Sequence, residues 1–114
     1  MFDQVNLLIA NWKHQESTIA HLFQQRKNQQ AIQPIQNGIH NFIIALYALN
    51  QFPNQDGEWL EHEIGNFKYK PLNVVERITF IEGQPHHYHS YIQLNELFRE
   101  LEKLCAKAEV LERL

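Results

Sequence analysis

"IQNGIHNFIIALYAL", residues 35–49, is the stretch that decides the fold. Ile35, Ile39, Phe42, Leu46 and Leu49 recur every three or four positions, and Ile43 and Tyr47 widen the stripe. That spacing places the apolar side chains on one helical face, whereas a strand would alternate with period two. This is the most apolar helix of the chain, so it is expected at the centre of the fold. Gly38 within it costs about 1 kcal/mol relative to alanine, which predicts a close neighbour at that point.

Upstream, "QQRKNQQAIQPIQNG" (24–38) is rich in glutamine and interrupted by Pro34. A residue before proline is pushed out of helical geometry, so a helix end and a turn are expected, with Pro34 in the first turn of the central helix. The first helix carries Phe2, Val5, Leu8, Ile9 and Trp12, and resumes its stripe at Ile19, Leu22 and Phe23. Asp3 suits its N-cap, and a single helix is expected to continue through the polar "HQES" (14–17) to about residue 30.

Downstream, residues 51–73 carry several proline and glycine stops and read as a long loop, with one helical turn around Glu58 to Glu63. Asn73 and Glu76 resemble a capping box opening a short helix that ends at Gly83, with Val74, Ile78 and Ile81 inward. Pro85 is expected to open the last helix, whose stripe runs through Tyr88, Tyr91, Leu94, Phe98, Leu101, Cys105 and Ala108. The pairs Glu96–Arg99, Glu100–Lys103 and Glu109–Arg113 are expected on its wet side. Residues 1–114 therefore read as one all-α domain. It is a small helical bundle of three longer helices and one short helix, with an aromatic-rich loop over about 53–70.

Composition narrows the function classes. A hydrophobic share of 44% against 20% charged residues is that of a folded chain. A net charge of −3, with Lys and Arg scattered, provides no global field for nucleic acid. "MFDQVNLLIA" (1–10) has no basic leader region, and the apolar run from Phe42 to Leu49 is far short of the roughly 20 residues a membrane helix needs. With Cys105 as the sole cysteine, a cytoplasmic location without membrane or nucleic-acid partners is expected.

"QPHHYHSY" (84–91) is the richest stretch for chemistry. On a helix from Pro85, His86 and His89 share a face, and His62 in the loop is the nearest candidate for a third zinc ligand. No paired cysteines and no His-Glu-x-x-His spacing accompany them, so the favoured reading has no metal and no other cofactor, with zinc as the alternative. His40 is expected to be partly buried and hydrogen-bonded. Cys105 lies on the apolar stripe, far from a helix N-terminus, and reads as a buried structural thiol. Glu76 and Arg77 are expected to pair with each other. No phosphate loop, dinucleotide fingerprint or nucleophile elbow is present, and no catalytic residue is assigned.

One segment carries a family resemblance. It comprises Pro71-Leu72-Asn73, Glu76-Arg77, Pro85, Tyr88, Tyr91, Gln93-Leu94 and Glu96-Leu97-Phe98, within 71–104. As a whole it resembles the C-terminal signature of the YpoC-like family of small proteins from Bacillus-type bacteria. The resemblance implies a small helical domain and brings no catalytic residue with it. The aromatic residues then suggest binding: Trp59, Phe67, Tyr69, Tyr88 and Tyr91 are expected to form a patch that takes a protein partner or a second copy. The expected function is thus non-catalytic protein interaction or self-association, with a metal-dependent role as the alternative.

Overall fold

The apolar stretch 35–49 lies in the second of five helices in the computed structural model, which describes residues 2–113. The helices are α1 (Asp3–Gln24), α2 (Asn28–Leu49), α3 (Glu61–Gly65), α4 (Val74–Gly83) and α5 (Tyr88–Leu111), and no strand occurs among the described residues. Ile35, Ile39, Phe42, Ile43, Leu46, Tyr47 and Leu49 are all buried on α2, which packs against α1, α4 and α5. α5 runs antiparallel to α1, as the ladder Asn6–Glu109, Lys13–Glu102, Trp12–Asn95 and Glu16–Tyr91 shows. At the centre, Trp12 stacks on Phe98 with ring centroids 5.0 Å apart, and its indole N–H donates to Asn95 Oδ1 at 3.0 Å.

Gly38 sits where the sequence places a close neighbour. A Cβ on it would lie 2.8 Å from both Leu94 Cδ2 and Trp12 Cζ3. The missing side chain lets α1 and α5 approach α2 together.

The helix ends differ from expectation. α1 is one helix, but it stops at Gln24 rather than near residue 30, and α2 begins at Asn28, so Pro34 lies inside α2 and does not open it. The chain reverses at Arg26, which takes a left-handed φ of 59°. Lys27 N–H bonds Leu22 O at 2.8 Å and Arg26 N–H bonds Phe23 O at 3.0 Å, the paired bonds of a Schellman stop. α2 ends the same way, with Gln51 left-handed at 57° and Phe52 N–H on Tyr47 O. Phe52 then packs edge-on against Tyr47, the apolar contact that accompanies this motif. Neither stop carries glycine, the residue that normally announces it. Inside α2, Pro34 removes one N–H, and the carbonyl it would have bonded belongs to the exposed Gln30. Arg26→Gly should therefore raise the unfolding free energy by about 1 kcal/mol, by relieving a left-handed conformation without removing any contact. Urea unfolding checks this, and a loss of stability would show that Arg26 contributes something besides its backbone.

Three other starts are corrected. Asp3 is the first helical residue of α1, and Phe2 occupies the cap without a side-chain bond. Asn73 precedes α4 with a left-handed φ of 56° and makes no side-chain cap, because a capping box needs an extended backbone at that residue. The helical turn expected at Glu58 to Glu63 lies later, as α3.

Tyr47 organises the long connection between α2 and α4. Its hydroxyl accepts from Leu60 N–H at 3.1 Å and donates to Glu63 Oε1 at 2.7 Å. Burial, with Glu63 beside it, pushes this phenol up to about 12. Asn54 Oδ1 takes Gly57 N–H and Asp56 Oδ1 takes Glu58 N–H, folding the loop tip on itself. Gly57, at φ +75°, lies against the imidazole of His40, where any Cβ would collide with the ring. His40 is otherwise exposed, not partly buried as expected.

Candidate functional site

α4 buries Val74, Ile78 and Ile81, as its spacing predicts. Leu72 and Phe80 fall off that stripe and stand 79% and 37% exposed. They flank an open groove of about 780 Å³ between α4 and α5, shared with Glu76, Arg77, Gln93, Glu96 and others.

Arg77 is the floor of this groove. Its guanidinium forks onto Glu100, with Nη1 3.1 Å from Oε1 and Nη2 2.6 Å from Oε2. Nε donates to Gln93 Oε1 at 2.9 Å and Nη1 also donates to Leu72 O at 3.1 Å. Glu96 stands 3.9 Å from Nη2. A bidentate fork of this kind fixes geometry as well as charge. Arg77 thus pairs with α5 and not with Glu76, its chain neighbour, correcting the expected pair. The groove walls hold three carboxylates against one guanidinium that is already satisfied, so the groove is acidic with apolar edges. The expected pairs Glu96–Arg99, Glu100–Lys103 and Glu109–Arg113 do not form: Glu100 serves Arg77 and Glu109 takes the Asn6 amide.

The histidine cluster takes another form than expected. α5 starts at Tyr88, so His86 lies in a turn outside the helix and shares no face with His89. His87 caps α5, its Nδ1 accepting from His89 N–H at 3.2 Å. The turn is held by the buried Ser90, whose hydroxyl donates to Gln84 O. The rings of His87 and His89 lie edge-on about Phe80, with centroids 6.1 and 5.5 Å from it. His62 on α3 lines a different groove, with Asn50, Phe52, Glu63, Asn66, Phe67 and Lys68. Among the described residues, no three of His, Cys, Asp and Glu converge to hold an ion.

The five aromatic candidates part company. Phe67 is buried edge-on to Tyr47 at 4.8 Å, and Tyr69 is buried with its hydroxyl on Glu112. Tyr91 is buried beside Trp12 and Phe23, its hydroxyl donating to Glu16, and burial and that carboxylate push its phenol far up. Tyr88 remains 51% exposed, edge-on to Phe23. Trp59 is half-buried, its indole N–H on the Glu82 carboxylate at 3.1 Å. Cys105 is 1% exposed, and burial, with Glu109 next, pushes its thiol up to about 11.

A family profile described as YpoC-like protein matches residues 2–113. The chain belongs to the YpoC-like family. The resemblance read from 71–104 therefore extends over nearly the whole chain. The uncharacterised protein YpoC of Bacillus subtilis (strain 168) is 30% identical over 109 residues, covering 96% of this chain and 66% of that relative. The chain thus spans just under two-thirds of the relative's length. No solved structure matches. In this YpoC-like chain the family segment 71–104 builds the whole α4/α5 groove, including Leu72, Arg77 and Glu100. Reading the sequence missed Leu72 and Phe80 as site residues. Their signal was available, since both are large, apolar and out of phase with the stripe of Val74, Ile78 and Ile81.

No helix among the described residues is long and apolar enough to cross a membrane.

Proposed function

We propose that this YpoC-like chain is a non-catalytic binding module whose α4/α5 groove receives a segment of another protein molecule. The observation that carries the reading is Leu72 and Phe80 held exposed along the α4 side of a groove whose walls carry three carboxylates. Apolar side chains at the rim of a groove, with Arg77 and Glu100 already fixed by their internal pair, suit a surface made to be covered. Of the five aromatic candidates, Tyr88 stays exposed and Trp59 half-buried, while Phe67, Tyr69 and Tyr91 are buried. The lone buried thiol of Cys105 accords with a cytoplasmic setting.

Photocrosslinking tests the reading. A benzoylphenylalanine at position 80 should capture a protein in cells, the same probe at the exposed His14 should not, and Leu72→Glu should abolish the capture. Equal capture at positions 14 and 80, or capture indifferent to Leu72→Glu, would remove the groove from consideration.

A further inference from the structure

The groove wall on α5 is the first half of a longer stripe. His89, Gln93, Glu96 and Glu100 line the groove. The same three- and four-residue spacing continues through Lys103, Lys107 and Val110, all exposed. Lys103 and Lys107 make no hydrogen bond or ion pair among the described residues. The stripe is therefore acidic toward its start and basic toward its end, and Val110 at the basic end is 62% exposed.

Such a stripe is complementary to itself when reversed. We infer that the occupant of the α4/α5 groove is a second copy of this chain, seated with the two α5 helices antiparallel about a two-fold axis near residues 101–102. This rests on the reading of the groove as a docking surface and names its partner. In that register Glu96 faces the second copy's Lys107, and Glu100 faces its Lys103. Val110 comes opposite Gln93, where it enters the groove beside Leu72 and Phe80. Phe80 is on α4 and Leu72 is in the turn before it, and both are otherwise left exposed. Each contact occurs twice, because a two-fold interface uses one patch against itself. Arg77 keeps Glu100 in place through its fork, so one side of the interface is set before association. The parallel alternative sets Glu96 and Glu100 against their own copies and Lys103 and Lys107 against theirs, so like charges oppose it.

The test is sedimentation of the purified chain over a wide concentration range at low salt. The wild type should show a reversible monomer–dimer equilibrium that weakens as salt is raised. Glu96→Lys and Lys107→Glu should each weaken the dimer about tenfold, since each turns two attractive contacts into repulsive ones. Mixing the two variants should restore association, because both cross-contacts then join opposite charges. The double variant Glu96→Lys/Lys107→Glu should dimerise like the wild type for the same reason. Both positions are exposed, and unchanged circular dichroism and melting will confirm that each variant folds. A wild type that stays monomeric throughout, or a mixture no tighter than its components, overturns the proposal. If the chain is monomeric while the position-80 probe captures a different protein, self-association fails and the docking reading survives. If it is monomeric and nothing is captured, both fail.

Discussion

Gly38→Val will lower the unfolding free energy by about 3 kcal/mol, a substantial share of the stability of a domain this size. The branch would be driven into Trp12 and Leu94, each already 2.8 Å from an ideal Cβ. Trp12 has no room to retreat: it is stacked on Phe98, held by Asn95 and almost wholly buried. Alanine at the same position gains about 1 kcal/mol of helix propensity and meets a smaller clash, so its effect will be markedly weaker. Gly65 and Gly83 supply the controls, since a Cβ at either meets nothing within 4 Å. Urea unfolding of Gly38→Val beside Gly83→Ala reads the difference. A valine variant within about 1 kcal/mol of wild type would mean that α1 and α5 can slide apart without cost, contrary to a close-packed interior.

The second large effect concerns Cys105. At mildly alkaline pH its reaction with a disulfide reagent will be at least about a hundredfold slower in the folded protein than in the urea-unfolded chain. The thiol is pushed up to about 11 from an ordinary 9.0, which alone reduces the thiolate by about two powers of ten. Access adds to this, because the residue is only 1% exposed between α1 and α5. Native reactivity within tenfold of the unfolded rate would show an opening of the α1/α5 seam that the packing does not suggest. The same shifts set an alkaline limit on the fold. Cys105 and Tyr47 both favour the protonated form when folded, with values raised to about 11 and about 12. Their stabilisation is complete below the unfolded values and is lost as pH climbs through the folded ones, and Tyr91 acts in the same direction.

If the α5 stripe joins two copies, the family segment has two duties. Residues 71–104 close the core through Val74, Ile78, Leu94 and Leu101, and they present the groove through Leu72, Phe80 and Glu96. The two duties need not compete, because they use different side chains, buried for the core and exposed for the groove.

The apolar stripes alone were enough to establish an all-helical chain, the central place of α2 and the inward faces of α4 and α5. Burial of a stripe is a local, periodic property, and Val74, Ile78, Ile81, Leu94, Phe98, Leu101 and Cys105 all follow it. The close approach at Gly38 was legible for a related reason: a glycine inside a strong helix has to be compensated by packing. The family resemblance was legible too, in the residues of the 71–104 segment. Helix ends were not. The stops at Arg26 and Gln51 use left-handed residues that nothing local demands, and tertiary packing of Phe23 and Tyr47 outweighs the cost. Pro34 inside α2 is the same case, with the carbonyl it deprives on the exposed Gln30. Only the tertiary structure could decide the partners of charged and aromatic groups. Arg77 reaches across to Glu100 instead of Glu76, Tyr47 holds Glu63 and Leu60, and His87 caps α5. Long polar side chains have several reachable partners at similar local cost, and the choice among them is made by where the helices come to rest.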